Sequence, residues 1–198
     1  MATGAAVGQW VFSLLFGLVA VHAVTEVVAD RMRPLAVVGQ LFHLAMAVAM
    51  VVMVWAWQDG PSAWVQLAVF GAGAVWFGAL AALRATGRVR RRAAGGHGPW
   101  ELTGHAVMML AMVWMVVVMT WTTAAPVGDH AHHTLSPVAV VGGVGATAAL
   151  VVTGVLLIVG LVDCLRSAER PSRHAGQLAS AVAMSLGMAG ACWTMLAT

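Results

Sequence analysis

Six apolar runs, each long enough to cross a lipid bilayer, alternate with short polar breaks along this chain. A transmembrane helix needs about 20 apolar residues to span a hydrocarbon core about 30 Å thick. All six prolines lie in the breaks or begin a run, as expected for a residue that fits a helix's first turn and disrupts its interior. The runs cover residues 7–29, 35–57, 62–83, 100–123, 137–162 and 174–197. The sequence therefore predicts an all-α integral membrane protein, a six-transmembrane-helix bundle that forms a single polytopic membrane domain over residues 1–198.

Composition excludes a soluble protein. Of the 198 residues, 61% are hydrophobic and 9% are charged, and the mean hydropathy is +0.90. A water-soluble domain of this size could not cover its surface with so little charge. The high pI comes from basic residues confined to short breaks, which argues against a nucleic-acid partner. We expect the lipid bilayer to be the main partner of this chain.

Arginine predicts the orientation of the helices. All ten basic residues are arginines, and they lie in the first, third and fifth breaks. These arginines are Arg31, Arg33, Arg84, Arg88, Arg90, Arg91, Arg92, Arg166, Arg170 and Arg173. Breaks rich in arginine stay on the cytoplasmic side of a membrane. The pattern predicts a multi-pass protein of the cell (plasma) membrane with both termini outside.

The chain also reads as three hairpins of related design. The second, fourth and sixth helices each follow an arginine break and contain QLFHLAMAVAM, TGHAVMMLAMVWM and GQLASAVAM. The odd-numbered helices are richer in glycine and alanine, and such small residues let membrane helices approach closely. These patterns indicate a weak threefold repeat, in which the third copy has Gln177 and Ser180 where the first has His43 and Met46.

Two stripes of methionine, each headed by a histidine, run along the second and fourth helices. The stripes are His43, Met46, Met50 and Met53, and His105, Met108, Met112, Met115 and Met119. Spacings of three and four keep each set on one helical face. Thioether and imidazole groups suit Cu(I) far better than hard cations, so the stripes predict a ladder of copper sites. The alternative is a packing seam, because methionine is a flexible apolar filler.

Ionisable residues form a second group, towards the arginine ends of the helices. His22 and Glu26 lie four apart on the first helix and precede Asp30, and Glu101 lies four before His105. Ionisable groups inside a membrane are expensive, which makes them candidates for cation binding or proton relay. The alternative is a set of structural pairs in which Asp30 and Glu101 neutralise nearby arginines.

The break between the fourth and fifth helices holds the sequence GDHAHH. Its potential ligands are Asp129, His130, His132 and His133. Imidazole and carboxylate groups at this density predict a capture site for Cu(II) or Zn(II) outside the membrane. The alternative is a histidine-rich loop without metal affinity, because a flexible loop loses conformational entropy when it chelates.

Catalytic motifs are missing from the sequence. It contains no GxSxG, Walker, HExxH or GxGxxG motif, and its two cysteines, Cys164 and Cys192, are far apart. We therefore expect no enzyme activity. Two further functions remain open: a structural or accessory membrane subunit, and a bis-histidine haem protein that uses His43 with His22 or His105.

The histidine–methionine segments resemble a known family. HLAMAVAM from His43 and HAVMMLAMVWMVVVM from His105, together with the outer histidine loop, are similar to an actinobacterial domain-of-unknown-function family, number fifty-one thirty-four. Its members are small multi-pass membrane proteins rich in histidine and methionine. The resemblance implies a fold and a location, and it implies no activity. The sixth helix departs from the motif because it lacks the opening His-x-x-Met.

Overall fold

All elements of the described chain are helices. The computed structural model describes residues 2–55, 62–88, 98–123, 137–167 and 173–197. The helices are α1 (Ala2–Ala29), α2 (Pro34–Val54), α3 (Ala63–Ala85), α4 (Pro99–Thr123), α5 (Pro137–Arg166) and α6 (Arg173–Ala197). All six are long and apolar enough to cross a membrane. This confirms the predicted all-helical architecture of six long apolar helices.

Helix boundaries follow the backbone chemistry of the breaks. Pro34, Pro99 and Pro137 each begin a helix, where a missing N–H leaves no hydrogen bond unmade. After α3 the chain turns at Gly87, whose φ of 73° suits a residue without a Cβ. Helix α1 begins five residues before the predicted Val7, and α5 continues from the predicted Val162 to Arg166.

Three hairpins make the most extensive contacts of the bundle: α1 with α2, α3 with α4, and α5 with α6. Contacts between α2 and α3, α4 and α5, and α6 and α1 close the helices into a ring, and α4 also contacts α6. Because each hairpin turns through an arginine break, the three even helices run parallel. The six arginines of the described ranges, in the breaks or beside them, lie at one end of the bundle, called here the arginine end.

Glycines bring α5 close to α4 and α6. A Cβ at Gly142 or Gly143 would lie only 2.6 or 2.7 Å from the ring of Trp114, and one at Gly154 would lie 2.8 Å from Leu186. Such contacts need a residue with no side chain, as in other membrane helix interfaces. Trp114 lies mid-helix because it fills this groove between α4 and α5.

Four tryptophans of the described residues lie at the end opposite the arginines, whereas Trp100 lies at the arginine end, in the first turn of α4. Trp10, Trp64 and Trp193 are exposed, and the rings of Trp10 and Trp55 meet edge to face with centroids 5.1 Å apart. The Trp55 Nε1–H donates a hydrogen bond of 2.7 Å to the Ser13 hydroxyl and so joins α1 to α2. Amphipathic rings of this kind suit a membrane–water interface. The side chains of Trp57 and Trp121 lie outside the described residues.

Methionine and valine occupy opposite sides of the helices. The exposed large apolar side chains are mostly valine and leucine. Among the described side chains, the only methionines in this exposed set are Met32 and Met119. Eight methionines are at most 1% exposed: Met46, Met50, Met108, Met109, Met112, Met115, Met184 and Met188. All eight belong to one continuous apolar cluster. The interior of the bundle is therefore lined with thioethers.

Candidate functional site

Two histidines stack face to face inside the bundle. The rings of His43 on α2 and His105 on α4 have centroids 4.4 Å apart and an interplanar angle of 21°. Both residues are about 95% buried, at 5% and 4% exposure. The His105 Nδ1 lies 2.6 Å from the Glu101 carbonyl oxygen, which can only accept a hydrogen bond. Nδ1 therefore carries the proton, and the lone pair of the neutral ring lies on Nε2, the nitrogen that could bind a metal.

This stack does not suit a haem between the two histidines. Axial imidazoles on one haem must approach its iron from opposite faces, each pointing a nitrogen at the metal. Rings that lie face to face at 4.4 Å leave no space for a porphyrin between them. The haem hypothesis based on His43 and His105 therefore does not fit this geometry.

A small polar cavity adjoins the stack. Its volume is about 20 Å³, enough for one water molecule. The polar residues that line it are Asp30, Gln40, His43, His105 and Gln177. His43 and Gln177 are equivalent positions of the predicted repeat, and His105 heads the motif of the second copy. The three even helices thus contribute their corresponding residues to one cavity.

The same correspondence continues into the middle of the bundle. Met50, Met112 and Met184 each lie seven residues beyond the cavity residue of their helix, which is about 10 Å along a helix axis. All three are at most 1% exposed and belong to the same cluster. Each of the three parallel even helices thus contributes one buried thioether at the corresponding position.

The other predicted methionine ligands divide into two groups. Met46, Met108 and Met115 are fully buried in the cluster, and Met53 is partly buried against it. Met119, one turn from the end of α4, is 38% exposed and lies outside the cluster. Sequence reasoning missed Met184 and Met188 of α6, although the repeat that it proposed contained the signal.

An ionic network lies at the arginine end. Glu26 of α1 and Asp30, which directly follows α1, are both buried. The Arg173 guanidinium of α6 approaches both, with Nε 3.4 Å from Glu26 Oε1 and Nη2 3.8 Å from Asp30 Oδ1. The Gln177 amide donates a 2.6 Å hydrogen bond to Glu26 Oε2, and Arg33 lies 3.7 Å from Asp30. Asp30 thus pairs with arginines, as the structural alternative predicted.

Glu101 has a different set of neighbours. Its Oε2 accepts a 3.0 Å hydrogen bond from the backbone N–H of Gly98, at the start of α4, and its Oε1 lies 3.8 Å from His174 Nε2. An acidic side chain suits the N-terminal turn of a helix, where backbone N–H groups have no partner in the helix. Glu101 therefore caps α4 and connects it to α6.

His22 of α1 is not among the residues that line the cavity with His43 and His105. It is partly buried against Gly176 of α6, where a Cβ would be 3.2 Å from its ring, and its buried Nε2 has no hydrogen-bond partner among the described residues.

The predicted capture residues Asp129, His130, His132 and His133 lie outside the described residues, so that site stays a prediction. Within the described part of the chain, no group of three or more His, Cys, Asp or Glu could hold a metal ion. A metal site built from these residues would need methionine sulfur.

Comparison with known proteins identifies relatives without assigning them an activity. The chain is 37% identical over 116 residues to uncharacterized protein Mb0995 of Mycobacterium bovis and to uncharacterized proteins MT0998 and Rv0970 of Mycobacterium tuberculosis. Each match covers 56% of this chain and 49% of the relative, so the match spans about half the length of these proteins. No solved structure matches the chain.

The family itself is clear from a longer match. The profile of a family described as a domain of unknown function (DUF5134) matches residues 35–197, which include α2 to α6 and therefore both stacked histidines and all eight buried methionines. The mycobacterial relatives agree with the actinobacterial origin that the resemblance implied. The chain therefore belongs to the DUF5134 family.

Proposed function

We propose that this protein binds Cu(I) within the membrane, in the thioether-lined middle of the bundle, with His43 and His105 at the arginine end of the site. Thioethers and imidazoles are soft or borderline neutral ligands, and they favour Cu(I) over the harder Mg²⁺ and Ca²⁺. The role is one of holding or passing the ion, without catalysis.

The observation that carries this proposal is the repeated arrangement on three parallel helices. Each even helix contributes a cavity-lining polar residue and, seven residues later, a fully buried methionine: Met50, Met112 or Met184. Packing alone would require only an apolar side chain of suitable volume at these positions. Leucine and valine meet that requirement elsewhere in the chain, so packing does not by itself explain methionine here. Thioether sulfurs from several helices can bind a monovalent soft cation without a carboxylate.

Orientation and location belong to the same proposal. We place the protein in the plasma membrane, with the arginine end in the cytoplasm and both termini outside, since arginine-rich breaks are retained inside. The loop residues Asp129, His130, His132 and His133 would then capture copper on the outer side.

Thiol labelling of intact cells tests the orientation. Cys164, at the arginine end of α5, should be protected from a membrane-impermeant maleimide. Cys192 is fully buried, so the positive control is Trp64→Cys, at an exposed position at the opposite end of the bundle. If Cys164 were modified as fast as the Trp64→Cys control, the proposed orientation would be contradicted.

A structural or accessory subunit is the second candidate function. It is favoured by the flexibility of methionine, which fills irregular gaps between helices without any ligand role. It predicts that the protein contains no copper and that methionine-to-leucine changes have little effect, because the two side chains have similar volumes.

Metal analysis of the purified protein separates the two functions. Protein from copper-supplemented cells should contain copper in a fixed ratio to the chain, and Met50→Leu, Met112→Leu and Met184→Leu together should remove it. The matched control is Met109→Leu, which is equally buried but lies against Gly73 of α3, outside the repeated arrangement. A wild-type protein that is free of copper after this preparation contradicts the copper proposal.

A further inference from the structure

We infer that the polar cavity beside His43 and His105 is a hydrated site that opens to the arginine end of the bundle, and that Arg173 closes it. The ligand of this site is a water-sized polar species: a water molecule at rest and a small cation in transit. That the cation is copper rests on the proposed function, whereas hydration and closure follow from the cavity itself.

Gln40 is the first observation that points to a ligand. Its side chain lines the cavity and is 9% exposed, and it makes no hydrogen bond to any part of residues 2–55, 62–88, 98–123, 137–167 or 173–197. A buried amide that lacks a protein partner is normally hydrogen-bonded to an internal water. The cavity has room for one water, which places the missing partner of Gln40 inside it.

The cavity extends from the stacked histidines towards the arginine end, and both polar and apolar residues line it along the way. Deeper in the membrane the walls are apolar and sulfur-lined, whereas the cavity itself is bordered by Asp30 and Gln177. Gln177 in turn donates its hydrogen bond to Glu26. Because Asp30 directly follows α1 at the arginine end and also lines the cavity, the arginine end is the shortest route from the cavity to water.

Arg173 lies across that exit. Its side chain is 55% exposed, yet its guanidinium contacts Glu26 and Asp30, whose side chains are only 6% and 9% exposed. It is thus the solvent-facing partner of both buried carboxylates at the cavity border. Release of Arg173 would remove one of the two arginines that cover Asp30, a cavity-lining residue, without moving any helix.

Cysteine accessibility tests this inference without copper. In a background with Cys164→Ser and Cys192→Ala, Gly39→Cys places a thiol at the cavity, since a Cβ there meets only Phe77 at an ordinary 3.6 Å. The matched control is Leu41→Cys, two residues along the same helix and 49% exposed on the lipid-facing side. Both are treated with a membrane-impermeant methanethiosulfonate in inside-out and right-side-out vesicles.

The expected result is modification of Gly39→Cys from the arginine end at least about tenfold faster than Leu41→Cys, because the reactive thiolate does not form in apolar surroundings. Arg173→Gln should raise the Gly39→Cys rate severalfold and leave Leu41→Cys unchanged. Arg173→Lys keeps the positive charge and should keep the slower rate, which separates closure from general loosening of the fold.

Two results would overturn the inference. Equal rates for Gly39→Cys and Leu41→Cys, or reaction from the tryptophan end, would mean that the cavity is not a hydrated site open to the arginine end. An unchanged Gly39→Cys rate in Arg173→Gln would mean that Arg173 does not close it. Neither readout depends on bound copper. A copper-free wild type would contradict the proposed function and leave this inference intact, whereas the two results above would contradict this inference and leave the copper proposal intact.

Discussion

The middle of the bundle and its arginine end share the parallel helices α2, α4 and α6, and α1 joins them at the arginine end, but the chemistry of the two regions differs. In the middle, α2, α4 and α6 contribute buried methionines, which make no directional contact with one another and are defined by their volume. At the arginine end, Glu26, Gln177 and Arg173 are held by specific hydrogen bonds and ion pairs. The comparison teaches that substitutions matched in volume should be tolerated in the middle of the metal-free protein and not at its arginine end.

The largest effect should come from emptying the middle. Met112→Ala removes a fully buried side chain and should lower the free energy of unfolding by about 2–5 kcal/mol, whereas Met112→Leu should lower it by less than about 1.5 kcal/mol. Thermal unfolding of the metal-free protein in detergent micelles, followed by circular dichroism, measures both. A loss for Met112→Leu as large as that for Met112→Ala would show that the sulfur itself stabilises the fold.

A smaller effect should follow from an apolar side chain at the arginine end. Glu26→Leu keeps similar bulk but removes the acceptor of Gln177 and the partner of Arg173, and a buried donor left unsatisfied costs about 1–3 kcal/mol. Val28→Leu, exposed on the same helix, is the control and should stay within about 0.5 kcal/mol of the wild type. Equal stabilities for the two variants in the same unfolding assay would remove the contrast between the regions.

The smallest effect concerns a hydrogen bond within the middle itself. Ser185 is fully buried, and its hydroxyl donates a 2.7 Å hydrogen bond to the Leu150 carbonyl oxygen, which joins α6 to α5. Ser185→Ala should cost about 0.6 kcal/mol, the usual value of one hydrogen bond between membrane helices. Ser180→Ala, whose hydroxyl bonds only within α6, should change the unfolding temperature less. A larger loss in Ser180→Ala would indicate that the middle does not depend on this polar contact.

The sequence predicted the six helices because their signals are local. Proline at helix starts and arginine in alternate breaks define the runs without knowledge of tertiary contacts. The termini of α1 and α5 were less predictable, since no proline or charged residue separates Ala2 from Val7, and nothing after Val162 breaks a helix before Arg166.

The site was only partly predictable because it depends on which helices meet. The two stripes indicated His43 and His105, and the repeat placed Gln177 in the equivalent position, but neither showed that all three line one cavity. Met184 and Met188 were missed because the sixth helix has no histidine head to draw attention to them. The ion pair of Glu26 with Arg173 was unpredictable from spacing, since its partners are 147 residues apart.

That long separation has a consequence for biogenesis. Glu26 emerges from the ribosome with the first hairpin, and its partner follows 147 residues later, at the start of the last helix. At synthesis rates of about 5–20 residues per second, the carboxyl group waits on the order of ten seconds for its counter-ion. In the membrane topology that we propose, the nascent chain must shelter this carboxyl group from the hydrocarbon during the interval. The last hairpin therefore completes the arginine end of the bundle.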